Sequence, residues 1–407
     1  MGIEVEKIGY GFRWRFVLLG GLVMICLGTV YSWSVFRLHV ERGFGVGATL
    51  SGLPYMTSLA FYAVMMLLSG RVLDRHSPRR LMVAGTVLVA LGWLLSAYAT
   101  GIWTLTLAYG VVIGTGVGIT YGVPMVVVSR WFPEKKGLAI GLVLGGFGLS
   151  PVVTAPLASA LIMEFGLART FGILGVAYGI LLPVLSLFFR HPTQEEVLGL
   201  PLPKASAGEV GEVEVADIVK TRQFRVLYWN FLTGAMIGLT FIGMTGHVGM
   251  DAMGLSSRQV DGLIPLFALS NGAGRPLFGW LADRYKARRV MRLSFALMAL
   301  GSVLMLVAEP GRILLFALAF SLFWMNLGGW LAIAPSVTGR MFGARNYSRN
   351  YGIVFTAYGI GAILGVLASG MLVDLLHDLR PLFLLVLLLC ASGIYRTRKH
   401  GRAKVLT

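Results

Sequence analysis

Residues 269–289 read Leu269-Ser270-Asn271-Gly272-Ala273-Gly274-Arg275-Pro276-Leu277-Phe278-Gly279-Trp280-Leu281-Ala282-Asp283-Arg284-Tyr285-Lys286-Ala287-Arg288-Arg289, an apolar run holding one arginine and closed by a basic cluster. A helix rises 1.5 Å per residue, so the eight positions from Arg275 to Asp283 put the arginine about 12 Å inside the boundary that Asp283 marks. In a hydrocarbon core about 30 Å thick, that is close to the midplane. A lone arginine at that depth costs on the order of 2.5–3.5 kcal/mol even on the mildest insertion scale, so it demands a partner, a wet cavity or a function. Asn271 lies one turn earlier on the same face.

The rest of the chain is equally apolar. Of its 407 residues, 56% are hydrophobic and only 13% charged, about half the charged share of a soluble protein of this size. Apolar runs recur from end to end near 16–38, 48–69, 81–99, 102–128, 138–162, 168–189, 224–247, 256–280, 290–307, 312–337, 352–373 and 380–395. They are continuous rather than alternating, which excludes a β-barrel and predicts an all-α polytopic membrane protein with about twelve transmembrane helices.

The net charge of +17 could point to nucleic acid, but the basic residues sit in short connections between spans. Arg13 and Arg15, Arg71 to Arg80, Arg130 to Lys136, Arg190, Arg284 to Arg289, Arg340 to Arg349 and Arg396 to Lys399 all fall on one side, with only scattered basics such as Arg42, Arg169, Arg258 and Arg312 opposite. The asymmetry predicts a multi-pass integral protein of the cell (inner) membrane with both termini cytoplasmic, no nucleic-acid partner and no obligate protein partner. Cys26 and Cys390 lie inside apolar spans and read as packed thiols, and no spacing calls for a metal or a cofactor. The short charged N-terminus runs straight into a full-length first span, so no cleavable signal is expected.

An internal repeat divides the chain. Gly70-Arg71-Val72-Leu73-Asp74-Arg75-His76-Ser77-Pro78-Arg79-Arg80 returns as Gly279 to Arg289, with Asp74 and Asp283 offset by 283 − 74 = 209, and Arg130-Trp131-Phe132 returns as Arg340-Met341-Phe342, offset by 210. Two loops sharing one offset indicate a duplicated six-span unit, with halves at 1–190 and 223–407 and a cytoplasmic linker at 191–222.

The Gly-x-x-x-Asp-Arg-x-x-x-Arg-Arg pattern resembles the loop signature of the major facilitator superfamily, and the resemblance covers nearly the whole chain. It implies two six-helix bundles around a central cavity, alternating access by rocking, and gating by Asp74, Asp283, Arg71, Arg130 and Arg340.

The first half has Met66 and Tyr62 where the second has Arg275 and Asn271, an asymmetry that favours a binding role for the arginine over an architectural one. Counting from the basic loops, Tyr121, Trp330 and Tyr358 lie about 13–15 Å deep, level with Arg275, and Tyr31 lies nearer the other side. All 18 Asp and Glu residues fall in or beside loops on this segmentation, so the natural counterion of Arg275 is an anionic substrate. A guanidinium fork matches a carboxylate, and one buried cation suits one negative charge.

A narrower likeness rests on Trp131-Phe132-Pro133-Glu134-Lys135-Lys136-Gly137-Leu138-Ala139-x-Gly141, which resembles the entrance to the fifth helix of monocarboxylate transporters and of oxalate/formate antiporters. Gly274-Arg275-Pro276 and Asn350-Tyr351-Gly352 resemble the latter. The likeness implies that Arg275 binds a substrate carboxylate. The antiporters' eleventh-helix lysine is replaced by Tyr358, which disfavours oxalate, and the aspartate of animal monocarboxylate transporters one turn before the arginine is Asn271.

The expectation is a secondary transporter of a small monocarboxylate anion such as lactate, pyruvate, acetate or formate, by proton symport. Arg275 holds the carboxylate, Asn271, Tyr121, Tyr358 and Tyr31 orient it, and Trp330 shapes the cavity. His247, Asp251 and Asp261 are the candidate proton acceptors. Anion exchange is the second reading within transport, and a transporter-like sensor a reading from another class. No constellation of an enzyme, and no Gly-Lys-Ser/Thr phosphate loop, is present.

Overall fold

Each apolar run becomes a helix. The computed structural model describes residues 10–72, 77–198, 200, 215, 217–343, 346–376 and 378–398, and no strand occurs among them. In chain order the helices are α1 Phe12–Phe44, α2 Ala48–Ser69, α3 Pro78–Ala97, α4 Ile102–Trp131, α5 (137–165), α6 (167–186), α7 Arg222–Ala252, α8 Ser257–Arg284, α9 Ala287–Val307, α10 Ile313–Phe342, α11 Arg349–Leu376 and α12 Arg380–Arg398.

Among the described residues, ten helical stretches are long and apolar enough to cross a membrane. One of them is α5 and α6 together, two rods joined where Gly166 takes φ 78°, a left-handed joint that a β-carbon would resist. The remaining rod, α8, is 28 residues long, and its central stretch is less apolar than the others because Ser270, Asn271, Arg275, two prolines and several glycines interrupt it. The twelve expected spans are therefore all present, and several overrun the predicted boundaries.

Local chemistry sets the ends. Ser256 and Gln259 cap each other's backbone at the start of α8, and the Thr221 hydroxyl accepts from the Phe224 amide at 3.1 Å where α7 begins. Gly45, at φ 63°, ends α1. Within α1 the residues Gly28–Ser32 tighten into a 3₁₀ turn, so Tyr31 sits on a break rather than on a continuous rod.

Two long seams join the halves, α2 along α11 and α5 along α8. Within the first half, Gly114, Gly116 and Gly118 of α4 press against the backbones of Ser58, Gly85 and Tyr62, a close helix packing that only glycine permits. Between α6 and α7, Arg190 forks onto Glu196 through bonds of 2.6 and 2.7 Å. The end of the molecule that carries the first turn of α1 and the last turn of α12 is the basic end, and the other is the opposite end.

Candidate functional site

Arg275 crosses from α8 to α5, where its Nη1 donates to the Leu144 carbonyl. The residue is 4% exposed, and its Nε and Nη2 have no hydrogen-bond partner. No Asp or Glu pairs with it among the described residues. One turn away, Asn271 donates from Nδ2 to the Trp324 carbonyl at 3.0 Å, which leaves Oδ1 buried and without a partner. Gly148 of α5 makes room for both. A β-carbon there would lie 2.5 Å from Asn271 Oδ1 and 3.0 Å from Arg275 Nε.

An aromatic wall from five helices closes around this edge. The Tyr31 and Tyr358 hydroxyls bond at 2.7 Å across the two halves. Phe147 meets Tyr31 edge-on at 5.0 Å and Tyr121 at 5.3 Å. Tyr62 touches Tyr121, Phe355 and Tyr358 with ring centroids 5.0, 5.2 and 5.7 Å away. Tyr31 and Tyr358 are fully buried, and Tyr62 and Tyr121 are 2% and 3% exposed, so the structure is occluded at its centre. Chemically, the cluster offers two parallel N–H donors and one orphan acceptor at the foot of a wall of phenol and phenyl rings.

The structure thus brings Arg275, Asn271, Tyr31, Tyr121 and Tyr358 into one neighbourhood. Tyr31, on the 3₁₀ turn of α1, reaches it through its bond to Tyr358, although counting placed it a level away. Trp330 packs elsewhere, 5.4 Å from Phe295 and 6.3 Å from Phe231, with its indole against Gly234. It joins the cluster through Phe231, which lies 6.2 Å from Phe355. Gly148, Phe147 and Phe355 were not singled out from the sequence, and Tyr62 stood there only as the counterpart of Asn271.

The candidate proton acceptors lie at the opposite end. His247 Nε2 stands 3.0 Å from Glu41, Asp261 accepts from Ser159 at 2.9 Å, and Asp251 is exposed beside His247 and Arg42. At the basic end, Arg340 donates to the Ala282 carbonyl at 2.6 Å, tying α10 to the last turn of α8. Asp283 and Arg130 are exposed. Arg71 lies on the helical run that continues α2 to Val72, and Asp74 lies outside the described residues.

Twelve long helices in two bundles and a buried guanidinium with no acidic partner, both among the described residues, fit a multi-pass membrane transporter. The chain belongs to the Major Facilitator Superfamily, whose sequence profile matches residues 17–263 and 230–405. It is 28% identical over 360 residues to the oxalate:formate antiporter of Oxalobacter formigenes, covering 87% of this chain and 84% of that one. Monocarboxylate transporter 13 of Bos taurus is 25% identical over 414 residues, covering 98% and 92%. In fold it is similar to the nucleoside transporter NupG, with a TM-score of 0.71 at 15% identity over 95% of this chain and 100% of that one.

Proposed function

We propose that this protein is a secondary active transporter of small monocarboxylates of the lactate, pyruvate and acetate type, working by proton-coupled symport and alternating access. Both termini are cytoplasmic in this reading, residues 1–190 and 223–407 are the moving halves, and 191–222 is the linker between them. The observation that carries the proposal is the free Nε/Nη2 edge of a buried arginine with no acidic partner among the described residues. A carboxylate accepts from both nitrogens in parallel. It brings the one charge that the site lacks, whereas a dicarboxylate would bury a second, uncompensated charge at a cost of several kcal/mol.

In this reading Asn271 Oδ1 accepts from the cargo, and the Tyr31, Tyr121 and Tyr358 phenols bound its apolar body, with Trp330 supporting them from behind. A proton entering with the anion spares the loaded carrier a net charge in the bilayer. His247, Asp251 and Asp261 are its candidate acceptors, and Arg71, Asp74, Arg130, Asp283 and Arg340 gate the basic end. Likeness to the oxalate:formate antiporter keeps exchange as the second reading, although Tyr358 offers no charge for a second carboxylate.

The test is uptake of labelled L-lactate into proteoliposomes under an inward proton gradient, with acetate and oxalate as competitors. Accumulation that a protonophore abolishes and acetate competes supports the proposal. Uptake only into vesicles preloaded with another anion replaces symport by exchange, and binding without flux rules out transport.

A further inference from the structure

Asn271 gives the central site its one free acceptor. The orientation of its amide is fixed by its neighbour, because the Trp324 carbonyl can only accept, so the group 3.0 Å away is the Nδ2 donor and the free atom is Oδ1. That oxygen has no hydrogen-bond partner, on a side chain that is fully buried. It also sits beside the arginine edge. A single point, the place of a β-carbon on Gly148, is 2.5 Å from Asn271 Oδ1, 3.0 Å from Arg275 Nε and 3.3 Å from Arg275 Nη2. The acceptor therefore lies within 5.5 Å of Nε, the sum of the first two distances. Two donors and one acceptor, all unpaired, converge on the scale of a two- or three-carbon molecule. A cargo that fills the donors alone leaves a buried acceptor unsatisfied.

We propose that Asn271 is a specificity-determining residue, through which the carrier selects 2-hydroxy acids over 2-oxo acids and unsubstituted acids of similar size. The inference rests on the monocarboxylate reading of Arg275 and sharpens it. A carboxylate held by Nε and Nη2 carries its C2 substituent one bond further on, within reach of Oδ1. A hydroxyl at C2 donates to that oxygen and satisfies it. A keto oxygen only accepts, so it sets one lone pair against another, and a methyl group or hydrogen offers no donor. A site that binds a hydroxyl through buried polar groups rejects analogues lacking it far more strongly than an apolar pocket rejects an added group. An ammonium group at C2 also donates, but it places a second cation beside the guanidinium, so charge excludes 2-amino acids. The aromatic wall by itself ranks these cargoes the other way. Tyr31, Tyr121 and Phe147 reward apolar surface, and propionate, with a methyl group in place of the glycolate hydroxyl, would win in a site without Oδ1.

The test reads Kd by calorimetric titration into full-length protein in lipid nanodiscs at pH 7, where all the carboxyl groups are ionised. L-lactate is compared with pyruvate, isobutyrate and L-alanine, and glycolate with propionate. In each set the hydroxy acid should bind about tenfold tighter or more, within the roughly 5- to 150-fold range that one unpaired buried acceptor commands. Asn271→Leu keeps the volume and removes the acceptor, so L-lactate and glycolate should lose their advantage while pyruvate and propionate bind no worse than to the parent. That variant also strands the Trp324 carbonyl, so the parent series decides by itself where the variant does not fold. Equal affinities within either parent set, L-alanine binding as tightly as L-lactate, or a preference that Asn271→Leu leaves unchanged overturns the selectivity and leaves the monocarboxylate reading standing. Failure of every acid to bind overturns both.

Discussion

Gly148→Ala is the smallest change that reaches the central site. The new methyl carbon would stand 2.5 Å from Asn271 Oδ1, and carbon and oxygen in contact keep about 3.3 Å apart. About 0.8 Å must therefore be found. If the Asn271 amide swings away, its bond to the Trp324 carbonyl is lost, about 1 kcal/mol net. If α5 and α8 separate instead, overpacking costs about 1–3 kcal/mol. Either route shifts the Arg275 edge relative to the aromatic wall, and a loss of about 1–3 kcal/mol felt at the site corresponds to a roughly 5- to 150-fold weaker Kd. Calorimetric titration of L-lactate into purified protein measures this directly, with proteoliposome uptake as the companion readout. Gly141→Ala, on the same helix with nothing within 4 Å of its β-carbon, is the control and should bind as the parent does. Parent affinity in Gly148→Ala, or equal damage in Gly141→Ala, would refute the reasoning.

Arg275→Lys keeps the charge but not the parallel donors, so uptake should fall by at least tenfold at unchanged membrane expression, and Arg275→Ala should abolish it. Replacing either member of the 2.7 Å Tyr31–Tyr358 hydroxyl pair by Phe leaves one buried hydroxyl unpaired, at about 1–3 kcal/mol. The double variant should therefore melt higher than either single one. Glu196 is held down to about 2, chiefly by the Arg190 fork and also by the Thr193 amide. A depressed carboxylate gives its full stabilisation above the unfolded value near 4.5 and loses it as pH falls toward 2. The melting-temperature gap between the parent and Glu196→Gln should therefore be constant above pH 5 and vanish through that window.

The spans were legible because lipid forces long apolar helices, and Arg275 with Asn271 stood out because a charge at mid-depth has few excuses. Depth alone could not say which way a ring points. Tyr121 and Trp330 share a level in the sequence, yet Tyr121 faces Phe147 while Trp330 faces Phe295. Tyr62 looked like an empty counterpart of Asn271, and it stands at the centre of the wall. Glu41 was hidden by a boundary. A span drawn to residue 38 leaves it in a loop, whereas α1 runs on to Phe44 and turns it toward His247. Asp374 was invisible for a different reason, since its partners are backbone amides 325 and 326 residues away.

The 3₁₀ turn at Gly28–Ser32 makes α1 a jointed rod. Its first segment is anchored within its own half, where Arg13 donates to the Trp131 carbonyl at 3.1 Å and pairs with Glu134 at 2.9 Å. Its second segment is bolted to the other half through Arg37 and Glu41. A joint transmits torque poorly, so the second segment can swing with α7 without dragging the first. The residue at the pivot is Tyr31, whose hydroxyl is the bridge to Tyr358. In the alternating-access reading, this one elbow ties the opposite end of the molecule to the central wall.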